Sequence, residues 1–157
     1  MTETRTIAIE RVDPRRPEIT ALIEELDGYM HGLYPAESNH LVDIETLALP
    51  NVHFFAVAVD GAWSGCGAIM IQPEGYAEVK RIFVSPRARG LGLGRRIIET
   101  LADATRAQGL DLMRLETGVK QPEALGLFAA LGFATRGPFG DYPTDDPLSV
   151  FMERRLR

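Results

Sequence analysis

Cysteine is almost absent from this chain: Cys66 is the single one in 157 residues. An internal disulfide and a four-thiolate zinc site are therefore excluded, and we expect a reducing, cytoplasmic location. No apolar run approaches the roughly 20 residues that a membrane-spanning helix needs. The first residues, Met-Thr-Glu-Thr-Arg, also have no apolar signal core. We expect neither export nor a membrane partner.

An excess of basic residues is missing as well. The chain has 17 Lys and Arg against 22 Asp and Glu, a net charge of −5. Nucleic-acid binding relies on cationic side chains that release counterions from phosphates, so we expect no nucleic-acid partner. The three histidines, His31, His40 and His53, have no metal-ligand spacing with one another or with Cys66. We expect no metal site.

The composition that remains, 45% hydrophobic and 25% charged residues, is typical of a globular protein, and the length fits a single domain over residues 1–157. Apolar residues recur at helical spacing from Pro17 to Met30, and Gly28 to His40 is interpreted as a loop or broken helix. Period-two apolar patterns predict strands at 6–12, 53–59, 62–71, 76–84, 112–117 and 151–156. Further helices are predicted before Gly109 and over 122–131, and a long loop over 137–147. The order of elements indicates one α/β domain with a mixed sheet.

A glycine-rich loop, Arg89-Gly-Leu-Gly-Leu-Gly94, lies between a predicted strand and a predicted helix. Backbone N–H groups at a helix N-terminus bind anions, and the missing side chains let phosphate oxygens approach them. The dinucleotide-binding fingerprint does not fit, because Arg95 and Ile97 stand where it needs a further glycine. The Gly-Lys-Ser/Thr of the nucleotide triphosphatases is absent. The loop predicts a phosphate-binding site of another kind.

Arg89, Gly92 and Gly94 match the pattern Arg/Gln-x-x-Gly-x-Gly/Ala, and Leu131-Gly132-Phe133 ends the later helix. In these motifs residues 54–133 resemble the GNAT N-acetyltransferase superfamily. The resemblance implies a mixed, mostly antiparallel sheet of about six or seven strands flanked by about four helices, with a V-shaped splay between the fourth and fifth strands. It also implies acetyl-CoA as co-substrate, no metal, and direct attack by a primary amine of a small molecule or peptide in a ternary complex.

The same resemblance implies where the coenzyme binds. The strand backbone at Ile82, Phe83 and Val84 would pair with the pantetheine, and the glycine loop would hold the pyrophosphate. The expected cofactor-binding residues are Ile82, Phe83, Val84, Arg89, Gly90, Leu91, Gly92, Leu93, Gly94, Arg95, Gln121 and Phe128. Arg87 is a further candidate for contact with the phosphates.

Glu78 is the candidate general base, because it lies six residues before Val84, as the base does in the family's histone acetyltransferase members. Strict alternation would place Glu78 on the same strand face as Lys80, Ile82 and Val84. The alternative interpretation is a strand carboxylate paired with Lys80 or Arg81. Spermidine/spermine acetyltransferases place their glutamate at the position that is Lys80 here.

The general acid departs from the family pattern. The family commonly has Asn near the start of the helix before Gly-Phe and Tyr seven residues later, and these positions are Gln121 and Phe128 here. Phenylalanine cannot donate a proton, so Tyr142 or Tyr34 is a candidate substitute, and Tyr142 joins Glu78 as a predicted catalytic residue. The expected acceptor-binding residues are Tyr29, Tyr34, Glu37 and Tyr142.

Two alternatives stay open at this stage. A non-catalytic acyl-CoA sensor would have kept the coenzyme site and lost turnover, and Phe128 favours it. A homodimer could form through an exposed edge of the strand meander or through the final strand.

Overall fold

Seven strands form one sheet within residues 5–38 and 42–156, the parts of the chain that the computed structural model describes. The strands are β1 (Ile7–Arg11), β2 (Val52–Val59), β3 (Ala62–Gln72), β4 (Tyr76–Val84), β5 (Leu112–Gly118), β6 (Ala134–Arg136) and β7 (Ser149–Arg155). Their order in the sheet is β1-β2-β3-β4-β5-β7-β6. Every neighbouring pair is antiparallel except β4 and β5, which are parallel. The mixed, mostly antiparallel sheet is confirmed.

Four α-helices flank this sheet in the described residues: α1 (Pro17–Leu33), α2 (Ile44–Leu47), α3 (Leu93–Ala107) and α4 (Pro122–Ala130). None of them is long and apolar enough to cross a membrane. Proline in the first turn of α1 and of α4 suits that position, where its missing N–H has no acceptor to lose. Helix α1 continues to Leu33, past the predicted loop start at Gly28, since neither Gly28 nor Gly32 interrupts it.

Two short elements were missed by the sequence patterns. Helix α2 begins after Asp43, whose side chain accepts a 2.8 Å hydrogen bond from the Thr46 N–H. Strand β6 covers the other edge of β7. The final strand therefore offers no free edge for the predicted homodimer, because β7 lies between β5 and β6, and the edges of the sheet are β1 and β6.

Both faces of the sheet are covered. Helix α3 packs on one face, where Ile97, Ile98 and Leu101 are fully buried together with Val57 and Ile69 of the sheet. Helix α1 packs on the other, where its buried residues meet a second set from the same strands; these include Ile19, Ile23, Phe54, Ala68 and Phe83. The two buried faces explain why β2 and β3 have nearly continuous apolar sequences.

The turn between β2 and β3 has the predicted geometry. Asp60 and Gly61 have φ of 50° and 84°, and both angles lie in the left-handed region that tight hairpin turns require. The Asp60 carboxylate also accepts a 2.9 Å hydrogen bond from the Thr6 N–H. The Asp-Gly pair thus sets the start of the meander.

Strand β4 contains a bulge at Arg81, whose φ of 58° is left-handed. Opposite it, the register steps from Ala68 facing Lys80 to Cys66 facing Phe83. The extra residue reverses the alternation of side chains along the strand. Lys80 therefore lies on the α1 side, whereas Ile82 packs against the α3 side. The prediction that Glu78, Lys80, Ile82 and Val84 share one face is wrong for this reason.

Strands β4 and β5 separate soon after they meet. They pair only from Ala77 opposite Met113 to Val79 opposite Leu115, although β4 continues to Val84 and β5 to Gly118. Beyond Val79 the edge of β4 that faces β5 has no described strand against it. The predicted V-shaped splay between the fourth and fifth strands is confirmed.

Candidate active site between the splayed strands

The gap between β4 and β5 contains two adjoining spaces. An outer groove of about 480 Å³ runs along residues 82–84 of β4 to the start of α3, a size within the roughly 300–1,000 Å³ of ligand sites. An inner cavity lies deeper, between α1, β4, β5 and α4. Four residues line both spaces, which therefore meet there: Leu26, Ile82, Gln121 and Ala124.

The glycine turn forms one end of the outer groove. Gly90 and Gly92 have left-handed φ of 86° and 73°, and a Cβ added to either would meet nothing within 4 Å. Gly92 is the N-cap of α3. The first N–H groups of that helix, from Leu93 to Arg95, have no acceptor within the helix, and the positive end of its dipole lies there. The turn therefore has open space and free donors suited to an anion.

Gly94 has another role in the same motif. A Cβ at Gly94 would lie 2.7 Å from Cδ2 of Leu127, so its missing side chain lets α3 approach α4. The third glycine of the motif thus serves packing, and only the first two need left-handed backbone.

The predicted cofactor residues line the outer groove, apart from two. Leu91 is exposed and lines neither space, and Phe128 lines only the inner cavity. Arg89 and Arg95 lie at the groove. Arg87 does not, because its guanidinium donates to the Glu25 carboxylate at 3.2 Å and to the Trp63 carbonyl at 2.6 Å. The expectation that Arg87 contacts the phosphates is not supported by this arrangement.

Glu78 and Tyr142, the two predicted catalytic residues, touch each other although they are 64 positions apart. The Tyr142 hydroxyl donates to Oε2 of Glu78 at 2.5 Å, and Nζ of Lys80 lies 2.8 Å from the same oxygen. Gln72 donates to Oε1 of Glu78 at 3.1 Å, and Lys80 also bonds to the Tyr142 hydroxyl. We call these four side chains the Glu78 cluster.

Within the Glu78 cluster, only Lys80 and Tyr142 line the inner cavity. Glu78 is 5% exposed and lies behind them. Burial, and then the nearby charge of Glu78, raises the pKa of Tyr142 far above that of free tyrosine. Tyr142 therefore remains a protonated donor at neutral pH, and Tyr142 and Lys80 lie between the cavity and Glu78.

The position of the missing acid is filled by a core side chain. Phe128 is buried, and its ring lies edge-on to Phe133 with centroids 5.7 Å apart. The phenol of Tyr34 enters the same cavity from another element. Its hydroxyl donates to Oε1 of Gln121 at 3.1 Å and accepts from the Lys120 N–H at 3.1 Å. Burial raises the pKa of Tyr34.

The predicted acceptor residues divide between the two spaces. Tyr34 and Tyr142 line the inner cavity. Tyr29 lines the outer groove instead, with its ring centroid 6.5 Å from that of Phe83. Glu37 is exposed and lines neither space, because the chain turns there in a 3-10 turn over 36–38. Tyr29 and Glu37 therefore do not line the inner cavity, and their role in acceptor binding stays a prediction.

Sequence reasoning missed Lys80 and Arg81 as site residues. Arg81 lines the cavity yet is buried, because its guanidinium pairs with Asp27 and its Nε donates to the Val42 carbonyl at 3.1 Å. The signal was available: two cations next to each other in the middle of an otherwise apolar strand need partners to be buried there. Within residues 5–38 and 42–156 no three His, Cys, Asp or Glu side chains form a metal-binding group, and His40 lies outside this range.

Cys66 stabilises the bulge at Arg81 and is not a reactive thiol. It is fully buried, its Sγ donates to the Arg81 carbonyl at 3.2 Å, and burial raises the pKa of its thiol to about 12. We expect no reaction of the folded protein with Ellman's reagent at neutral pH, and one thiol per chain after unfolding in denaturant. Rapid labelling of the folded protein would contradict this burial. Assays of thiol release should accordingly have no background from the protein.

Comparison with known proteins agrees with this geometry. The model of the acetyltransferase (GNAT) family matches residues 19–133. An IAA acetyltransferase from Azospirillum brasilense is 52% identical over 151 residues, which cover 96% of this chain and 98% of the relative. The crystal structure of a Klebsiella pneumoniae protein proposed to be an acyl-CoA N-acyltransferase has 34% identity and a TM-score of 0.80, covering 96% of this chain and 98% of that one.

A more distant structure shares the fold. It is an N-acetyltransferase from Thermoplasma acidophilum in complex with coenzyme A, with 16% identity, a TM-score of 0.71, and coverage of 96% of this chain and 99% of that one. The family match covers β4, β5 and the glycine turn, and the two closer relatives each match 96% of the chain. The chain therefore belongs to the acetyltransferase (GNAT) family and is an acyltransferase.

Proposed function

We propose that this protein transfers an acetyl group from acetyl-CoA to a primary amine of a small molecule or peptide, by direct attack of the amine in a ternary complex. The supporting observation is that one continuous gap has an anion-binding turn at one end and the Glu78 cluster at the other. A long donor bound in the outer groove would bring its thioester to the junction at Ile82 and Gln121, beside the inner cavity.

The outer groove fits the coenzyme through backbone groups. Among the described strands none pairs with residues 82–84 of β4 on the splayed side, so their polar backbone can pair with the pantetheine amides, as an added strand does. Gly90, Gly92 and the first turn of α3 would hold the pyrophosphate. Arg89 and Arg95 line the groove and would add positive charge there. Bound acetyl-CoA supplies the activated acyl group.

The Glu78 cluster would remove the proton that the amine must lose. A lysine-like amine with a pKa near 10.4 needs about 4–5 kcal/mol to be presented as the free base at pH 7. Tyr142 faces the cavity and already donates to Glu78. As the nitrogen attacks, Tyr142 can accept the amine proton on its oxygen while passing its own proton to Oε2 of Glu78. Lys80 holds the carboxylate in place beside this path.

A non-catalytic acyl-CoA sensor is the second candidate. The buried Phe128 favours it, because the usual proton donor is absent from α4. A sensor would bind the coenzyme in the outer groove without turnover, so the two candidates differ in a measurable way.

Calorimetry with acetyl-CoA, followed by assays of thiol release, tests the proposal. The acceptor panel includes amino acids, polyamines, aminoglycosides and peptides, together with IAA because the Azospirillum brasilense relative is named for it. Binding together with release of coenzyme A that depends on an amine acceptor supports the enzyme. Tight binding without turnover on the whole panel supports the sensor. Absence of binding contradicts both.

The glycine turn itself yields a prediction. In Gly92→Val the side chain enters the open space beside the turn, and we expect the Kd for coenzyme A to rise about tenfold or more, which is ~1.4 kcal/mol. Gly75→Val is the matched control. Gly75 also has a left-handed φ, of 95°, and open surroundings, but it lies in the turn between β3 and β4. Equal affinities of the two variants would contradict a phosphate site at Gly92.

A further inference from the structure

Departure of the coenzyme A thiol is assisted by a proton donated to the sulfur. Phe128 of α4 has no proton to give, so a donor near the junction of the outer groove and the inner cavity would have to come from elsewhere. Two phenols line the inner cavity, Tyr34 and Tyr142.

Tyr142 is on the acceptor side of this space. Its hydroxyl is held by Glu78 and Lys80, and neither of these partners lines the outer groove. A proton relay for the amine and a donor for the sulfur act on opposite sides of the thioester carbon. The same hydroxyl is therefore poorly placed to serve both.

Tyr34 also lines only the inner cavity, but both partners of its hydroxyl, Gln121 and Lys120, line the outer groove. It ends α1 in an extended conformation, with φ of −129°, which suits a residue before proline. Its hydroxyl donates to Gln121, and Gln121 lines both spaces. The phenol is 5% exposed and is deeply inserted between the strands.

Strand β5 has no side chain at the place where this phenol lies. A Cβ on Gly118 would be 1.9 Å from Oη of Tyr34 and 2.3 Å from its Cζ. The Lys120 N–H donates to the hydroxyl oxygen and fixes the phenol. The phenol's own proton is donated to Oε1 of Gln121, and it would turn from that amide to an acceptor at the junction. The Tyr34 hydroxyl is thus positioned at the junction by three groups: the missing side chain of Gly118, the Lys120 N–H and the side chain of Gln121 at the start of α4.

We propose that Tyr34 donates the proton to the coenzyme A sulfur, an inference that rests on the proposed acetyl transfer. The amine nitrogen forms a bond to the carbonyl carbon, and the C–S bond breaks with its electron pair moving to sulfur. The Tyr34 O–H gives its proton to that sulfur and so releases the free thiol. The amine proton leaves through Tyr142, and solvent reprotonates the Tyr34 oxygen, so that one proton is lost by the amine and one is gained by the sulfur.

Tyr34→Phe tests this donor in two independent ways. The first readout is the pKa of the thiol of bound coenzyme A, which is measured by ultraviolet titration. A hydroxyl that donates to the thiolate lowers that pKa. We expect the bound thiol in Tyr34→Phe to titrate about 1 unit or more higher than in the unmodified protein. Cys66 does not obscure the signal, since the pKa of its thiol is about 12.

The second readout is turnover with two different acyl donors. On acetyl-CoA we expect kcat to fall about 10²-fold or more in Tyr34→Phe, with Kd for the coenzyme within about twofold. On the oxygen-ester analogue of acetyl-CoA, whose alkoxide leaving group is far more basic, the loss should be larger still. A residue that only positions Gln121 would lower both rates by the same factor.

Tyr76→Phe is the matched control, because Tyr76 is a buried phenol on β4 that lines neither space. It should behave as the unmodified protein in both readouts. An unchanged thiol pKa in Tyr34→Phe, or an equal loss with both donors, overturns the assignment of Tyr34 and leaves the proposed acetyl transfer intact. Failure of the unmodified protein to bind coenzyme A overturns both.

Discussion

Replacing Glu78 with glutamine is expected to lower kcat by about 10²–10⁴-fold, the contribution of a general base, and to destabilise the fold by about 3–5 kcal/mol. The two losses have different origins. Turnover falls because an amide cannot accept the proton that Tyr142 passes on. Stability falls because Lys80, whose side chain is 12% exposed, is left as a buried ammonium without its carboxylate 2.8 Å away.

A second variant separates these origins. Removing one member of a buried ion pair is costly, whereas replacing both members by uncharged residues of similar shape is often neutral. The double variant Glu78→Gln with Lys80→Met should therefore recover most of the lost unfolding free energy in urea titrations. Its kcat should stay as low as that of the single variant. Recovery of activity together with stability would reduce Glu78 to a structural partner of Lys80.

The single variant Lys80→Met completes a double-mutant cycle for the Glu78–Lys80 pair. It leaves the Glu78 carboxylate buried without its cation, and we expect a comparable loss of stability. The coupling between the two positions is the difference between the double variant and the sum of the single ones. Coenzyme A affinity is the control for folding, because the Glu78 cluster does not line the outer groove.

The coenzyme side of the site could be predicted from the sequence because it is formed by residues that are close together in the chain. Gly90 and Gly92 lie within one strand–turn–helix unit, and a helix N-terminus exposes donors whatever packs around it. The Asp60-Gly61 turn was predictable for the same reason, since its left-handed backbone depends on the two residues alone.

The acceptor side could not be predicted in detail because it depends on contacts far apart in sequence. The bulge at Arg81 is set by the register of β4 against β3, and one extra residue changes which side chains share a face. Tyr34 and Gln121 are 87 positions apart, and no local pattern brings them together. Tyr142 lies within the long segment between β6 and β7, which has no regular structure, so the sequence alone could name it but not place it beside Glu78.

Gly118→Ala is expected to show whether the phenol of Tyr34 really occupies the gap. The backbone at Gly118 is not left-handed, so alanine causes no conformational strain there and the effect is purely steric. Its Cβ would lie 1.9 Å from the Tyr34 hydroxyl, so the phenol or β5 must move. We expect a loss of unfolding free energy of about 1–3 kcal/mol, as for other overpacked cores.

Turnover should fall in Gly118→Ala by a similar factor to that in Tyr34→Phe, because the displaced hydroxyl no longer reaches the sulfur. Adding Tyr34→Phe to Gly118→Ala should then cost no further activity, a non-additivity typical of residues that act as a unit. Gly126→Ala in α4 is the control: a Cβ there meets nothing within 4 Å, and in a helix interior it should stabilise by about 0.5–1 kcal/mol. Full stability and turnover in Gly118→Ala would mean that the Tyr34 phenol lies elsewhere in solution. The alanine Cβ and the Tyr34 hydroxyl cannot both occupy these positions without a steric clash.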